Sequence, residues 1–302
     1  MEIKILSPEH FYELRDLLDG VFSRSYGRET RFIDLFPRLF SAPNPYVTSS
    51  HLGAFIDGRL VGTAAMYPLD YVVGKVPIRL IANGNVAVHE DFRNCGVMTQ
   101  LLHAVNDACD ACGDLGYLHG NPVRYGRVGY HGCGIQYTLT FLPFTASDAA
   151  AAAYDFAPML PEERVFLQKL SETKCDYIRR TSADDFHAAL RSAKREAVTV
   201  YDRGGRTAGY LSFGKDNAFV EEFAFTEPAE TEIFRSLAHR LGCPVRVRLS
   251  GYDEATRNRC RDHAEVSSSE PALFRIIRQE KLKEAAESLA LSPDVLYAPY
   301  LT

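Results

Sequence analysis

The stretch VAVHEDFRNCGVMTQLL, Val86 to Leu102, changes its hydrophobic period part-way. On its N-terminal side, VPIRLIANGNVAV alternates as a half-buried strand does. Ile78, Leu80, Ala82, Gly84, Val86 and Val88 share one face, and Asn83, Asn85 and His89 share the other. On its C-terminal side, Leu101, Val105 and Ala108 recur at helical spacing. A strand that runs into a long amphipathic helix selects a mixed α/β class, because the two apolar faces must bury each other.

The residues at the join ask for a chemical reason. A helix N-terminus carries unpaired backbone N–H groups and a partial positive charge, so it is a ready seat for an anion. Gly96 lets the backbone approach an oxygen with no Cβ in the way, and Arg93 adds a full positive charge. The dinucleotide pattern G-x-G-x-x-G is absent, as is G-x-x-x-x-G-K-[ST], which removes the two best-known phosphate-binding folds.

The chain has 302 residues, more than one small core accommodates, and two domains are expected. A formal net charge of −5 argues against a nucleic-acid partner, which requires a basic face. No apolar run reaches transmembrane length and MEIKILSPEHF has no signal-peptide core, so no membrane partner and a cytoplasmic location are expected. Seven irregularly spaced cysteines fit a reducing compartment. Cys109-x-x-Cys112 continues the face of Leu101, Val105 and Ala108, which predicts core positions for both. With no second pair to complete a zinc set, no metal is expected.

SPEHFYELRDLLDGVF predicts an N-terminal helix capped at Ser7, with Phe11, Leu14, Leu17, Leu18 and Val21 inward. RETRFIDLFPRLFSAPNPYV then reads as a wall for a second substrate or as a packing loop. HLGAFIDGRLVGTAAMYPLDYVV predicts a hairpin turning at Asp57-Gly58, followed by a turn at Gly74-Lys75. After the Val97 helix come a strand near LGYLHG and a final hairpin in VGYHGCGIQYTLTFLPF. Composition divides the rest: a first domain over 1–145, an alanine-rich linker over 146–160, a second domain over 161–268 and a strand-helix tail over 269–302.

The second domain repeats the plan of the first. Gly205-Arg206-x-x-Gly209 echoes Gly58-Arg59-x-x-Gly62, and FVEEFAFTEPAETEIFRSLAHRL again runs strand, turn, helix. Its turn, however, holds Glu227, Glu230 and Glu232 and has neither Arg nor Gly. Carboxylates there repel an anion, so only the first turn is expected to seat a phosphate.

Downstream of the first helix lies GNPVRYGRVGY, Gly120 to Tyr130. Here the chain resembles the GNAT superfamily of acetyl-coenzyme A-dependent N-acetyltransferases. That family's pattern [RQ]-x-x-G-x-[GA] after a strand ending V-x-V is matched by Val86, Val88, Arg93 and Gly96. Its pattern P-x-x-Y-G-R-x-G-[FY] is matched by Pro122, Tyr125, Gly126, Arg127, Gly129 and Tyr130. Met98 departs from the pattern, where a small residue is usual, and Asn121 stands where relatives often carry Asp. The two-domain layout is similar to acetyltransferases of the enhanced-intracellular-survival type, whose third, sterol-carrier-like domain is matched here only by its opening strand and helix.

The resemblance implies an α+β (mixed α/β) fold of two GNAT-like domains, each a mixed, mostly antiparallel twisted sheet flanked by helices. It implies acetyl-CoA as co-substrate and a primary amine, on a small molecule or a peptide, as acceptor, the two reacting in one ternary complex. Val86, Ala87 and Val88 would line the thioester and pantetheine, and Arg93, Asn94, Cys95, Gly96, Val97 and Met98 would hold the pyrophosphate, with Asn121 nearby. Tyr125 would be the general acid. For the base, His119 and His89 are candidates beside a water or an acidic side chain. Carriage of that role to the Thr302 carboxylate, as in some relatives, is left open by the shortened tail. A homo-oligomer is also left open. The alternative is a non-catalytic acyl-CoA-binding or regulatory module on the same fold.

Overall fold

A computed structural model describes residues 1–23, 31–144, 153–270 and 272–289. In chain order the strands are β1 (Glu2–Ile5), β2 (His51–Ile56), β3 (Arg59–Val73), β4 (Val76–Val88), β5 (Leu115–Leu118), β6 (His131–Cys133) and β7 (Gln136–Phe141). They continue with β8 (Tyr154–Pro158), β9 (Asp176–Ile178), β10 (Arg195–Asp202), β11 (Thr207–Gly214), β12 (Phe219–Phe225), β13 (Val245–Ser250), β14 (Glu265–Ser269) and β15 (Ala272–Ile276). They build two mixed sheets flanked by helices, of order β1-β2-β3-β4-β5-β15-β6 and β8-β10-β11-β12-β13-β7-β14; β9 adds to the first through β3.

The two sheets follow one plan. Each has one parallel pair, β4 with β5 and β12 with β13, joined by the helices Val97–Cys112 and Glu230–Leu241; every other pairing is antiparallel. The expected turns are present, with Asp57 and Gly58 at positive φ between β2 and β3 and Gly74 between β3 and β4. The helix Phe11–Phe22 buries Phe11, Leu14, Leu17 and Leu18, as its period predicts. A strand, β1, precedes it, so the chain opens on strand rather than helix.

The final hairpin does not form. β6 pairs with β15, whereas β7 crosses into the second sheet and pairs with β13 and β14. In return β15, from the tail, takes the sixth place of the first sheet, between β5 and β6. The sheets therefore do not divide at residue 145: each half completes the other. Gly134, at φ +79, lies between β6 and β7 and redirects the chain. Within the expected linker, residues 146–152 lie outside the described residues. Tyr154–Pro158 is an edge strand on β10, with Phe156 buried.

Two further corrections concern periodicity. β4 does not alternate to its end, because its register against β3 slips between Ala87 and Gly84, with Asn85 at φ +50. This is a β-bulge, and it turns the strand's last residues over. Ala87 thus enters the core beside the Phe11–Phe22 helix. Cys109 is buried, but Cys112, in the helix's last turn, is exposed.

Candidate active site

β4 and β5 pair only from Leu80–Leu115 to Ala82–Tyr117 and then part, leaving the end of β4 unpaired on that side. Two parallel strands that splay open a notch lined by backbone groups, and both family motifs lie around it. The helix Val97–Cys112 begins where β4 ends, with Gly96 as its N-cap at φ +78. No side chain caps it, so its first amides are free, and a Cβ at Gly96 would meet only Gln100 Nε2 at 3.9 Å. Asn94 is also left-handed, at φ +64. Arg93 is exposed, held loosely by Nε donating to Val88 O at 3.4 Å; it has no carboxylate partner among the described residues. Cys95 is exposed beside it.

The second motif closes the notch from the other side. Asn121 caps the short helix Pro122–Gly126, its Oδ1 accepting from Val123 N at 2.9 Å and Arg124 N at 3.2 Å. That oxygen is thereby committed to the cap. Tyr125, on this helix, is buried in one cluster with Leu102, Leu118, Val128, Tyr130 and Leu273, against which Val86 and Met98 pack. The long side chain at 98 therefore fills space between the two motifs. The Tyr125 ring lies across Gly120: a Cβ there would come within 2.7 Å of ring Cδ2 and closer still to Cε2. Burial pushes the Tyr125 phenol up, and its hydroxyl has no hydrogen-bond partner among the described residues. Tyr130 ties the motif to the sheet by accepting from Asn83 Nδ2 at 2.6 Å; Arg127 is exposed.

The two candidate histidines are placed differently. His119 follows β5, with Nε2 2.7 Å from the Tyr117 hydroxyl, and burial and the charge of Arg248 hold it below its ordinary value. It is thus neutral near pH 7 and directly precedes Gly120, against which the Tyr125 ring lies. His89 is bound to Arg59, 2.9 Å from Nε2, and lies by Asp91, on the β2–β3 side of β4.

A polar network that periodicity did not reveal stands at the bulge. His51 is fully buried; its Nδ1 donates to Val47 O at 2.6 Å, which leaves Nε2 to accept from Asn85 Nδ2 at 3.1 Å. The same amide donates to the Tyr67 hydroxyl at 3.1 Å, and the Tyr46 ring stands 6.2 Å from that of Tyr67. Burial pulls His51 down to about 4 and pushes Tyr67 up. The signal was present as Asn83-Gly84-Asn85, a turn-former inside a strand, which marks a bulge. The segment read as wall or packing loop packs into the core over much of its length. Residues 28–30 lie outside the described residues. Phe32, Ile33, Phe40 and Val47 enter the core, while Tyr46 faces this network.

The second half's turn differs as its sequence predicts. Glu230, the first residue of the helix Glu230–Leu241, is buried; its carboxylate accepts from Arg259 Nε at 3.1 Å and from Thr256 Oγ1 at 3.4 Å. The turn thus carries a buried, ion-paired carboxylate where the first half carries Gly96 and an exposed arginine.

Residues 2–132 match the family model described as an acetyltransferase (GNAT) domain. This segment is a GNAT domain. A search of curated proteins gave no match. Among solved structures, the GNAT domain and its second half together resemble a probable N-acyltransferase from Enterococcus faecalis V583, at TM-score 0.66 and 15% identity over 93% of this chain and 74% of that one. A GCN5-related N-acetyltransferase from Anabaena variabilis gives 0.66 and 15% over 94% and 74%. Eis1 from Mycobacterium abscessus gives 0.57 and 17% over 94% and 75%. At these identities the likeness is one of fold. No helix among the described residues is long and apolar enough to cross a membrane, and no group of three or more His, Cys, Asp or Glu is placed there to hold a metal.

Proposed function

We propose that the chain is an N-acetyltransferase that moves an acetyl group from acetyl-CoA to a primary amine in a ternary complex. The observation that carries this reading is the juxtaposition of three features around one notch: the uncapped helix at Gly96, the parted strands β4 and β5, and the buried Tyr125. The residues fit the co-substrate. Arg93 supplies a cation, and the backbone of Asn94, Cys95, Gly96, Val97 and Met98 supplies N–H groups for a pyrophosphate. The parted end of β4, Val86 to Val88, leaves backbone groups for the pantetheine amides and for the thioester oxygen. Asn121 contributes by capping the helix that carries Tyr125.

In this reading the amine nitrogen bonds to the acetyl carbon, the carbon–sulfur bond breaks, and the products are an amide and free thiol. Tyr125, protonated throughout the neutral range, donates to the departing sulfur. Full transfer to a thiolate of pKa ~8.5 runs uphill from such a phenol, so donation follows the breaking bond, and the proton released by the nitrogen restores it. His119 is the base we favour over His89, because it is held neutral and directly precedes Gly120, on which the Tyr125 ring lies. His51 has no exposed surface and serves to orient Asn85.

Tyr125→Phe tests the reading. CoA affinity by calorimetry is expected to persist, with thiol release from acetyl-CoA over an amine panel falling about 10²-fold or more. Unchanged turnover removes Tyr125 from the role. Arg93→Glu is expected to abolish CoA binding; near-normal affinity would overturn the assigned seat. A wild-type protein that binds CoA but releases no thiol with any amine of the panel would be a binding module.

A further inference from the structure

A cavity of about 340 Å³ lies between the two halves, and its lining includes Leu115 of β5, the strand that His119 follows. On β3, Tyr67 and Tyr71 share a face, since they are separated by an even number of residues; on β5 and its extension, Tyr117 and His119 do likewise. Tyr71 lines the cavity, and Phe274 of β15, which also lines it, stacks 5.4 Å from Tyr117. The face of the first sheet that carries Tyr71, Leu115 and Phe274 is therefore the floor of this cavity, and His119 follows the strand that Leu115 begins. The roof comes from β12 and β13 of the second half.

The charges inside are almost all satisfied locally. Glu221 receives Arg195 at 2.6 Å, Glu222 receives the Tyr210 hydroxyl at 3.0 Å, and Asp253 receives Lys174 at 2.5 Å. Asp176 accepts from the Tyr71 hydroxyl at 2.7 Å, and burial keeps its carboxyl toward the neutral form. One charge is left over. Arg248, on β13, lines the cavity, and its guanidinium meets the face of Phe219, 5.2 Å away, but no carboxylate among the described residues. Its field reaches both Tyr117 and His119, acting to lower each. A guanidinium is a forked donor that matches a carboxylate with two parallel hydrogen bonds.

We infer that Arg248 is the second half's contribution to acceptor recognition, and that the acceptor is an amine that also carries a carboxylate, of the amino-acid type, rather than a polyamine. The inference rests on the acetyltransferase reading for the acceptor's role. Arg248 holds the carboxylate, the aromatic walls of Tyr177, Tyr252 and Phe274 receive the apolar part, and the amine is left facing His119. An acceptor with a second cation in place of the carboxylate meets the unpaired positive charge of Arg248 instead. This also gives the second half, whose turn carries the Glu230 carboxylate and no equivalent of Arg93 or Gly96, a task in the reaction.

The test is a calorimetric titration of L-phenylalanine and of L-phenylalaninamide into the full chain, with and without saturating CoA, for wild type, Arg248→Gln and Arg248→Lys. Wild type is expected to bind the acid at least tenfold more tightly than the amide. Arg248→Gln is expected to bring the two within about twofold, and Arg248→Lys to retain part of the preference. Equal or tighter binding of the amide by wild type, no binding of either, or an acid preference that survives Arg248→Gln overturns the assignment. CoA affinity is expected to be unchanged in both variants. A wild type that binds the acid through Arg248 but does not bind CoA keeps this assignment and loses the acetyltransferase reading.

Discussion

His51 makes the fold acid-sensitive in a window that can be computed from its surroundings. The ring has no exposed surface, donates from Nδ1 to Val47 O and accepts at Nε2 from Asn85. Protonation would place a second proton at Nε2, facing a donor, inside the core. Burial accordingly lowers its pKa from 6.5 to about 4. The unfolded chain takes up the proton below 6.5, whereas the folded chain refuses it until about 4. Stability is therefore fully present above pH 6.5 and falls as pH drops through the window. At about 1.4 kcal/mol per pH unit, the loss by pH 4 is about 3 kcal/mol, of the order of a quarter to a half of a typical domain's stability. Urea unfolding of wild type and His51→Gln, each at pH 7 and pH 4, isolates this contribution from the carboxylates, which both proteins share. Wild type is expected to lose about 3 kcal/mol more than the variant between the two pH values. Equal losses would mean that the imidazole is protonated in the folded state, and the network drawn at the bulge would be wrong.

Other consequences follow from single contacts. Gly120→Ala drives a Cβ into the Tyr125 ring, so turnover is expected to fall about 10²-fold, as for an ångström-scale displacement, with CoA affinity retained; a normal kcat would detach Tyr125 from the chemistry. Gly96→Ala places a Cβ at φ +78 with open space around it, so the cost is backbone strain of about 1 kcal/mol, read by urea unfolding, with weaker CoA binding by calorimetry. Glu230→Gln leaves Arg259 without its carboxylate and is expected to lower stability by about 2 kcal/mol. Calorimetry should also give one CoA per chain, and a stoichiometry of two would refute the reading that only the first turn seats a phosphate.

The parts of the fold visible in the sequence are those set by neighbours along the chain. Turns at Asp57-Gly58 and Gly74 and the strand-helix join at Gly96 are local choices of backbone conformation, and local residues decide them. The exchange of β7 and β15 is not of this kind. QYTLTF can pair antiparallel with whatever edge is offered, and ALFRI equally; nothing within either strand names its partner. Choosing between a short hairpin and a swap that spans the chain is a matter of which sheet has a vacant sixth place, and that is known only when both sheets exist.

The same division runs through the site. Arg93, Gly96 and Tyr125 were legible because they stand at fixed offsets in the two motifs that carry the resemblance. His51 and Arg248 were not, since a lone histidine at a strand's start or an arginine on an alternating strand has many uses. His51 acquires a role only through the bulge, which slips β4 by one residue and turns Asn85 toward His51 and Tyr67. Had β4 kept its alternation, every residue beyond Asn85 would point to the opposite face, and Ala87 would turn away from the Phe11–Phe22 helix. The bulge thus does two things with one left-handed residue. It packs the strand's end on the N-terminal helix, and it leaves Val86 beside Tyr125 and Met98, where the two motifs meet.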